Sequence, residues 1–289
     1  MPYVSVDGVN LYYEVTGEGY PLVWAHEFAG DYRSWEAQVR FFARRYRVIT
    51  YNARGYPPSD VPQDVSAYTQ EQAVEDLRAL LSHLGIQEAH VGGLSMGGSL
   101  ALHFGLTHPR MCRSLIVAAA GSGSVNSEAW KAEAEANAKR FETEGMSVVA
   151  DDYATGPARI QFQRKDPMGW QEFRDALAEH SSIGAANTFR GVQIKRPSIF
   201  DLKDRMRQLT IPTLIMIGDE DEPCVDAAVF MKRNIPTAGL SVLPQSGHTI
   251  NLEEPDLYNR IVLDFLTAVE AGRWPSHDLP EPGAPSMTR

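Results

Sequence analysis

A serine, an aspartate and a histidine, each just beyond an apolar run, are the residues of this chain best suited to act together. Ser95 stands in Gly93-Leu94-Ser95-Met96-Gly97, Asp221 in Gly218-Asp219-Glu220-Asp221, and His248 in Gly247-His248-Thr249. A hydroxyl is a weak nucleophile until a base takes its proton, and an imidazole does so effectively when a third group orients it. Residues 89–92 before Ser95 read as a strand and residues 98–106 after it as a helix. A serine on such a sharp turn presents its hydroxyl clear of the backbone, and the flanking glycines let strand and helix approach. His248 follows the apolar run 240–243 and, of the eight histidines, is the best placed as base. Asp221 follows the run 213–217 and is favoured over Asp219, Glu220 and Glu222 by its spacing from Gly218.

These residues need strands to bring them together, and the hydrophobic pattern supplies them. Residues 3–6 and 10–15 read as strands joined at Asp7-Gly8, a hairpin turn pair. Further strands are expected at 21–25, 47–51, 89–92, 115–119, 213–217 and 240–243. Helices are expected at 34–45, with Trp35, Val39 and Phe42 on one face, at 70–84, at 225–234 and at 255–271. Between 122 and 209 no convincing apolar strand occurs; helical stretches at 127–143 and 168–180 replace the alternation. This alternation predicts an α/β fold with a mostly parallel sheet covered on both faces, and reactive groups at the carboxyl ends of its strands. The domain reading is a core of residues 1–121 and 210–271, a helical cap at 122–209, and a proline-rich tail at 272–289 without fixed structure.

Composition narrows the function. The 289 residues carry a net charge of -10, which argues against nucleic acid and anionic membranes as partners and disfavours polyanionic substrates. No apolar run approaches the ~20 residues that span a bilayer, and the first residues lack the pattern of a secretory signal. Two cysteines, Cys112 and Cys224, make a disulfide framework improbable and a cytoplasmic location the expectation. No Gly-x-Gly-x-x-Gly or Gly-Lys-Ser loop occurs, and His26-Glu27 lacks the second histidine of a zinc-protease motif because Gly30 stands there. No cofactor and no metal are expected. Oligomeric state stays open.

With the Ser95, Asp221, His248 order in hand, the chain resembles the α/β-hydrolase family over about residues 1–271. Four patterns carry the resemblance: the elbow at Ser95, the acid turn at Gly218 to Asp221, the base turn at Gly247-His248, and Arg54-Gly55-Tyr56-Pro57-Pro58-Ser59, similar to the family's Arg-Gly-x-Gly-x-Ser loop. The extended Gly-Leu-Ser-Met-Gly-Gly looks like small-molecule esterases and enol-lactonases. The resemblance implies an α/β-hydrolase fold with a helical cap and a serine hydrolase of a small ester or lactone. Ser95 is then the nucleophile, and the Phe28 and Met96 amides form the oxyanion hole. It also admits carbon–carbon bond hydrolysis of a vinylogous diketone and a catalytically silent ligand-binding relative. One departure stands out: where the family commonly has His-Gly-x, this chain has His26-Glu27-Phe28. Glu27 is therefore expected to shape the pocket or its protonation. Phe162, Trp170, Phe189 and Arg190 are the expected cap contributions to the substrate pocket, with Trp130, Phe173 and Phe200 as further aromatic candidates and Arg159 and Arg164 as further cations.

Overall fold

The computed structural model describes residues 2–125 and 127–279. Eight strands form one sheet: β1 (Tyr3–Val6), β2 (Val9–Thr16), β3 (Tyr20–Ala25), β4 (Tyr46–Tyr51), β5 (Ala89–Leu94), β6 (Cys112–Ala118), β7 (Thr213–Gly218) and β8 (Ala238–Leu243). Their order is β1-β2-β4-β3-β5-β6-β7-β8. The first two strands enter antiparallel, and every pair from β4 to β8 is parallel. The hairpin turns at Asp7-Gly8, both at positive φ, as the residue pair predicts. Strands β5 and β7 are buried along their whole length, which is why β7 reads as a near-continuous apolar run rather than an alternating one; β5 carries His90 within it.

Helices α1 (Glu36–Phe42), α2 (Gln70–His83) and α3 (Met96–Thr107) cross between the early strands. The expected helix at 34–45 divides into a 3-10 turn, Tyr32–Trp35, and α1, because the Asp31 side chain caps the turn early. Trp35 and Phe42 are buried and Val39 packs against the same core. Thr69 caps α2 through a bond from the Gln72 amide, and Gly85 follows it at positive φ.

Between β6 and β7 the chain leaves the sheet and builds α4 (Ser127–Glu144), α5 (Met146–Ala154), α6 (Ile160–Lys165), α7 (Pro167–Ala178) and α8 (Ser182–Thr188). A five-residue π-helical stretch, Phe189–Gln193, continues α8, and the short α9 (Lys203–Met206) precedes β7. Helices α10 (Glu222–Asn234), α11 (Ile250–Glu253) and α12 (Pro255–Glu270) complete the core. The insertion has its own apolar cluster, in which Phe141, Phe162, Phe173 and Phe189 pack with Phe28 and Met96 from the loops at the strand ends. A second apolar nucleus thus sits on the carboxyl ends of the strands and closes them over.

The expectation of an unstructured tail from 272 is corrected for its first part. Trp274 lies edge-on to Phe265 at 4.7 Å and donates from Nε1 to the Thr237 carbonyl, and the His277 amide bonds Pro236 O. An indole that buries its ring and satisfies its N–H anchors the segment. Residues 280–289 lie outside the described residues. Among the described residues, no helix is long and apolar enough to cross a membrane.

Candidate active site

Ser95 ends β5 and opens α3 at φ 57 and ψ -110, a conformation that costs a side-chain-bearing residue strain. Its amide bonds Ala118 O at 2.8 Å and its carbonyl accepts from the Ser99 amide, so both sides of the turn are held. The turn is too crowded for side chains at its flanks: a Cβ on Gly97 would collide with the Ala25 carbonyl oxygen, and one on Gly93 with the carbonyl of Gly97.

His248 and Asp221 come from the loops after β8 and β7. Their side chains meet through His248 Nδ1 and Asp221 Oδ2 at 2.7 Å, with both residues buried. Burial alone would pull the imidazolium's pKa down; the Asp221 carboxylate more than offsets this and holds it well above the ordinary value. Ser95 and His248 line one cavity of about 160 Å3, together with Ser122, Asn137, Tyr153 and Gln193. Gln193 closes the π-helical stretch, and its Oε1 is buried without a partner among the described residues. An imidazole whose Nδ1–H is held by a carboxylate can take the proton of a hydroxyl that comes within hydrogen-bond reach of its Nε2.

The loop after β3 carries His26, Glu27 and Phe28. His26 Nε2 accepts from the Ala53 amide at 3.0 Å, so Nδ1 bears the proton and donates to the Glu27 carbonyl at 2.7 Å. Burial lowers the His26 pKa, consistent with that neutral, bracing role. Among the described residues, neither the Phe28 nor the Met96 amide has an acceptor, and Met96 stands at the first position of α3, where helix amides are unpaired.

Glu27 does not need the glycine's conformational range, since its φ lies outside the left-handed region. Nor does it line the catalytic cavity. Its carboxylate takes a bidentate pair from Arg159 Nη1 and Nη2, at 3.2 and 2.5 Å, with both side chains buried. Burial would raise its pKa, but the Arg159 guanidinium holds it below the ordinary carboxylate value. Arg159 also lies over Tyr153 at 4.8 Å and Phe173 at 5.2 Å.

The other cap expectations fare differently. Phe189 lines the catalytic cavity, as does Trp130. Phe162 and Trp170 do not; Phe162 is packed in the cap's apolar cluster and Trp170 donates to Ala154 O. Arg190 turns away to Glu135 and Glu142. Arg54, from the Arg-Gly loop, makes a buried bidentate pair with Asp76 on α2 and so braces the core.

Sequence reasoning missed the Glu27–Arg159 pair and the polar residues Asn137, Tyr153 and Gln193. The first had a signal, since a carboxylate amid apolar residues after a buried strand calls for a cation. Cys224 also proves close. Its Sγ and the donor atoms of Asp221 and His248 lie within 4.8 Å of one another, a set compact enough for a soft cation. Coordination there would take His248 Nδ1 away from its orienting carboxylate. Burial raises the Cys224 pKa, leaving a neutral thiol, with Ser122 Oγ at 3.3 Å.

Residues 20–255 match the family model described as the alpha/beta hydrolase fold. The chain is 28% identical to 3-oxoadipate enol-lactonase 1 of Acinetobacter baylyi over 266 residues, covering 91% of this chain and 95% of that protein. Among solved structures it is similar to an enol-lactonase from Burkholderia xenovorans, with a TM-score of 0.81 and 25% identity over 92% of this chain and all of that one. It is also similar to a thermophilic esterase from Thermogutta terrifontis, with a TM-score of 0.82 and 28% identity over 93% of this chain and 99% of that one.

Proposed function

The chain belongs to the α/β-hydrolase fold family, and we propose that it is a serine hydrolase that cleaves a small ester or lactone through an acyl-enzyme without a cofactor. Ser95 Oγ attacks the carbonyl carbon while His248 Nε2 takes its proton. Asp221 keeps the imidazole oriented and stabilises the imidazolium. The Phe28 and Met96 amides receive the negative oxygen of the tetrahedral intermediate. His248 returns the proton to the leaving oxygen, then takes one from water, whose attack on the acyl-enzyme releases the acid and restores Ser95. A lactone differs only in that its leaving alcohol remains tethered to the acyl group.

The observation that carries this reading is the His248–Asp221 contact of 2.7 Å opening on the cavity that holds Ser95. Arg159 and Arg190, two of the cations that carbon–carbon hydrolysis of a diketone acid would call on, are already paired with Glu27, Glu135 and Glu142, and a panel of short esters, lactones and such diketones separates the two readings. The test is turnover of p-nitrophenyl esters together with labelling by a fluorophosphonate probe. Wild-type protein is expected to turn over and to label, and Ser95→Ala to do neither while melting cooperatively. Full activity in Ser95→Ala, or a wild-type protein inert to both, would end the proposal and favour a silent ligand-binding relative.

A further inference from the structure

A second cavity, of about 240 Å3, adjoins the catalytic one; the two share Ser122, Trp130 and Gln193 as a common wall. Arg196 lies on its lining, four residues beyond the π-helical segment's Val192, whose carbonyl accepts the Arg196 amide. Its Nη2 donates to the Ser122 carbonyl at 2.8 Å. Its Nη1 is enclosed by protein and has no acceptor among the described residues. No carboxylate stands within ion-pair distance of it among the described residues, whereas Arg54, Arg159 and Arg190 each have one. Lys131 and Lys195 share the lining; Lys131 is held by Glu128, and Asp201 is the one acid on that wall. Arg196 keeps part of its surface exposed, but a guanidinium drawn partly out of water without a counter-charge is still costly, and burial lowers its pKa to about 10.

We infer that Arg196 is the anchor of a carboxylate subsite, so that the substrate is an ester or lactone bearing a carboxylate remote from the carbonyl that Ser95 attacks. The inference rests on the serine-hydrolase reading for its chemistry, but the subsite stands on the cavity and the unpaired guanidinium. A carboxylate entering this cavity supplies the counter-charge that the guanidinium lacks among the described residues. A single negative charge suits the wall better than a dianionic phosphate, given Asp201 on the lining and a net charge of -10. The shared residues explain how one molecule reaches both places: its reacting end lies by Ser95 and its acid passes Gln193 and Trp130.

The test compares p-nitrophenyl butyrate with mono-p-nitrophenyl glutarate in wild-type, Arg196→Met and Arg196→Lys proteins. Losing a hydrogen bond to a charged group predicts that the glutarate-to-butyrate ratio of kcat/KM falls about 10-fold or more in Arg196→Met, with the loss in KM. Arg196→Lys is expected to recover part of it. If Arg196 merely ties Ser122 to the cap, both esters lose activity together and the ratio stays constant, which overturns the inference. Calorimetric titration of the Ser95→Ala protein with monomethyl glutarate separates the two readings. Binding that disappears in Ser95→Ala/Arg196→Met supports the subsite even if neither ester is turned over. No binding, or binding indifferent to Arg196, overturns it even if the enzyme is an active esterase.

Discussion

Replacing Glu27 by Gln keeps the side chain's size and removes its charge, leaving the buried Arg159 without its partner. Removing one member of a buried ion pair costs about 3–5 kcal/mol. Tyr153 and Phe173 still face the guanidinium and offset about 1 kcal/mol of that, so the expected loss is about 3 kcal/mol. For a chain of this size that lowers Tm by roughly 6–12 °C. Glu27→Gln/Arg159→Met removes both charges and is expected to regain at least half of the lost stability, since neutral replacements of a buried pair are often well tolerated. Activity should not follow. The pair fixes the loop that presents the Phe28 amide, and outright loss of one oxyanion donor costs about 100-fold or more in kcat. A displaced donor predicts about 10-fold in both single variants and in the double. The assay is a double-mutant cycle in urea, read beside kcat on a p-nitrophenyl ester. Single losses that simply add, to within about 0.5 kcal/mol, would refute the argument, as would a double variant with wild-type kcat. The sign with pH is also set. The Glu27 pKa is held down in the folded state, so the pair's stabilisation is present above the unfolded carboxylate value and is lost as pH falls through the folded one. The gap between wild type and Glu27→Gln should therefore narrow in acid, measured by urea midpoints from pH 7 downward.

The His248 pKa is raised by Asp221, and the base works only when neutral, so kcat/KM should climb with pH around a midpoint above 6.5; a pH profile of ester turnover checks this. Asp221→Asn should cut kcat by about 10^4 and move that midpoint down, and an unmoved limb would show that another group sets it. Ser95→Gly relieves the strain at φ 57 that Ser95→Ala retains, and should be the more stable of the two by about 1 kcal/mol in thermal melts. Gly247→Ala places a methyl against the Ala158 carbonyl of the cap. It should lower kcat more than it raises KM, because it pushes on the segment that carries His248.

What the sequence made legible was the part governed by local rules. The strands before Ser95 and Asp221 carry glycine at or near their ends, and each turn holds the catalytic candidate within a few residues of a strand end. The Trp274 anchor was hidden by the prolines around it, whose composition resembles that of an unfolded tail. In the cap, helical spacing gives an aromatic residue a face but does not say what the face meets. Phe162 and Phe189 read alike, yet one packs inside the cap and the other borders the cavity. Charges were harder still. Arg159 finds its carboxylate 132 residues away, and Arg190 finds Glu135 and Glu142 on another helix. Only the tertiary fold separates such spent cations from Arg196.

The same few cap residues reach the loops that bear the proposed oxyanion donor, base and acid, though not the turn of Ser95. Arg159 holds Glu27 beside the Phe28 amide, the Ala158 carbonyl accepts the His248 amide at 2.7 Å, and Gln161 Nε2 donates to Glu220 at 2.8 Å, next to Asp221. Lys165 extends the line to Ser246 and Glu254. A cap that served only as a lid over a finished site would not need to bond to all three loops. Here the core brings the side chains to the strand ends and holds the Ser95 turn itself, while segment 157–165 ties down the loops of Glu27, Asp221 and His248. On the proposed function, substrate selection and catalytic geometry both rest on one insertion. A cap exchanged for another family member's would be expected to lose rate as well as specificity unless partners for Glu27 and His248 came with it.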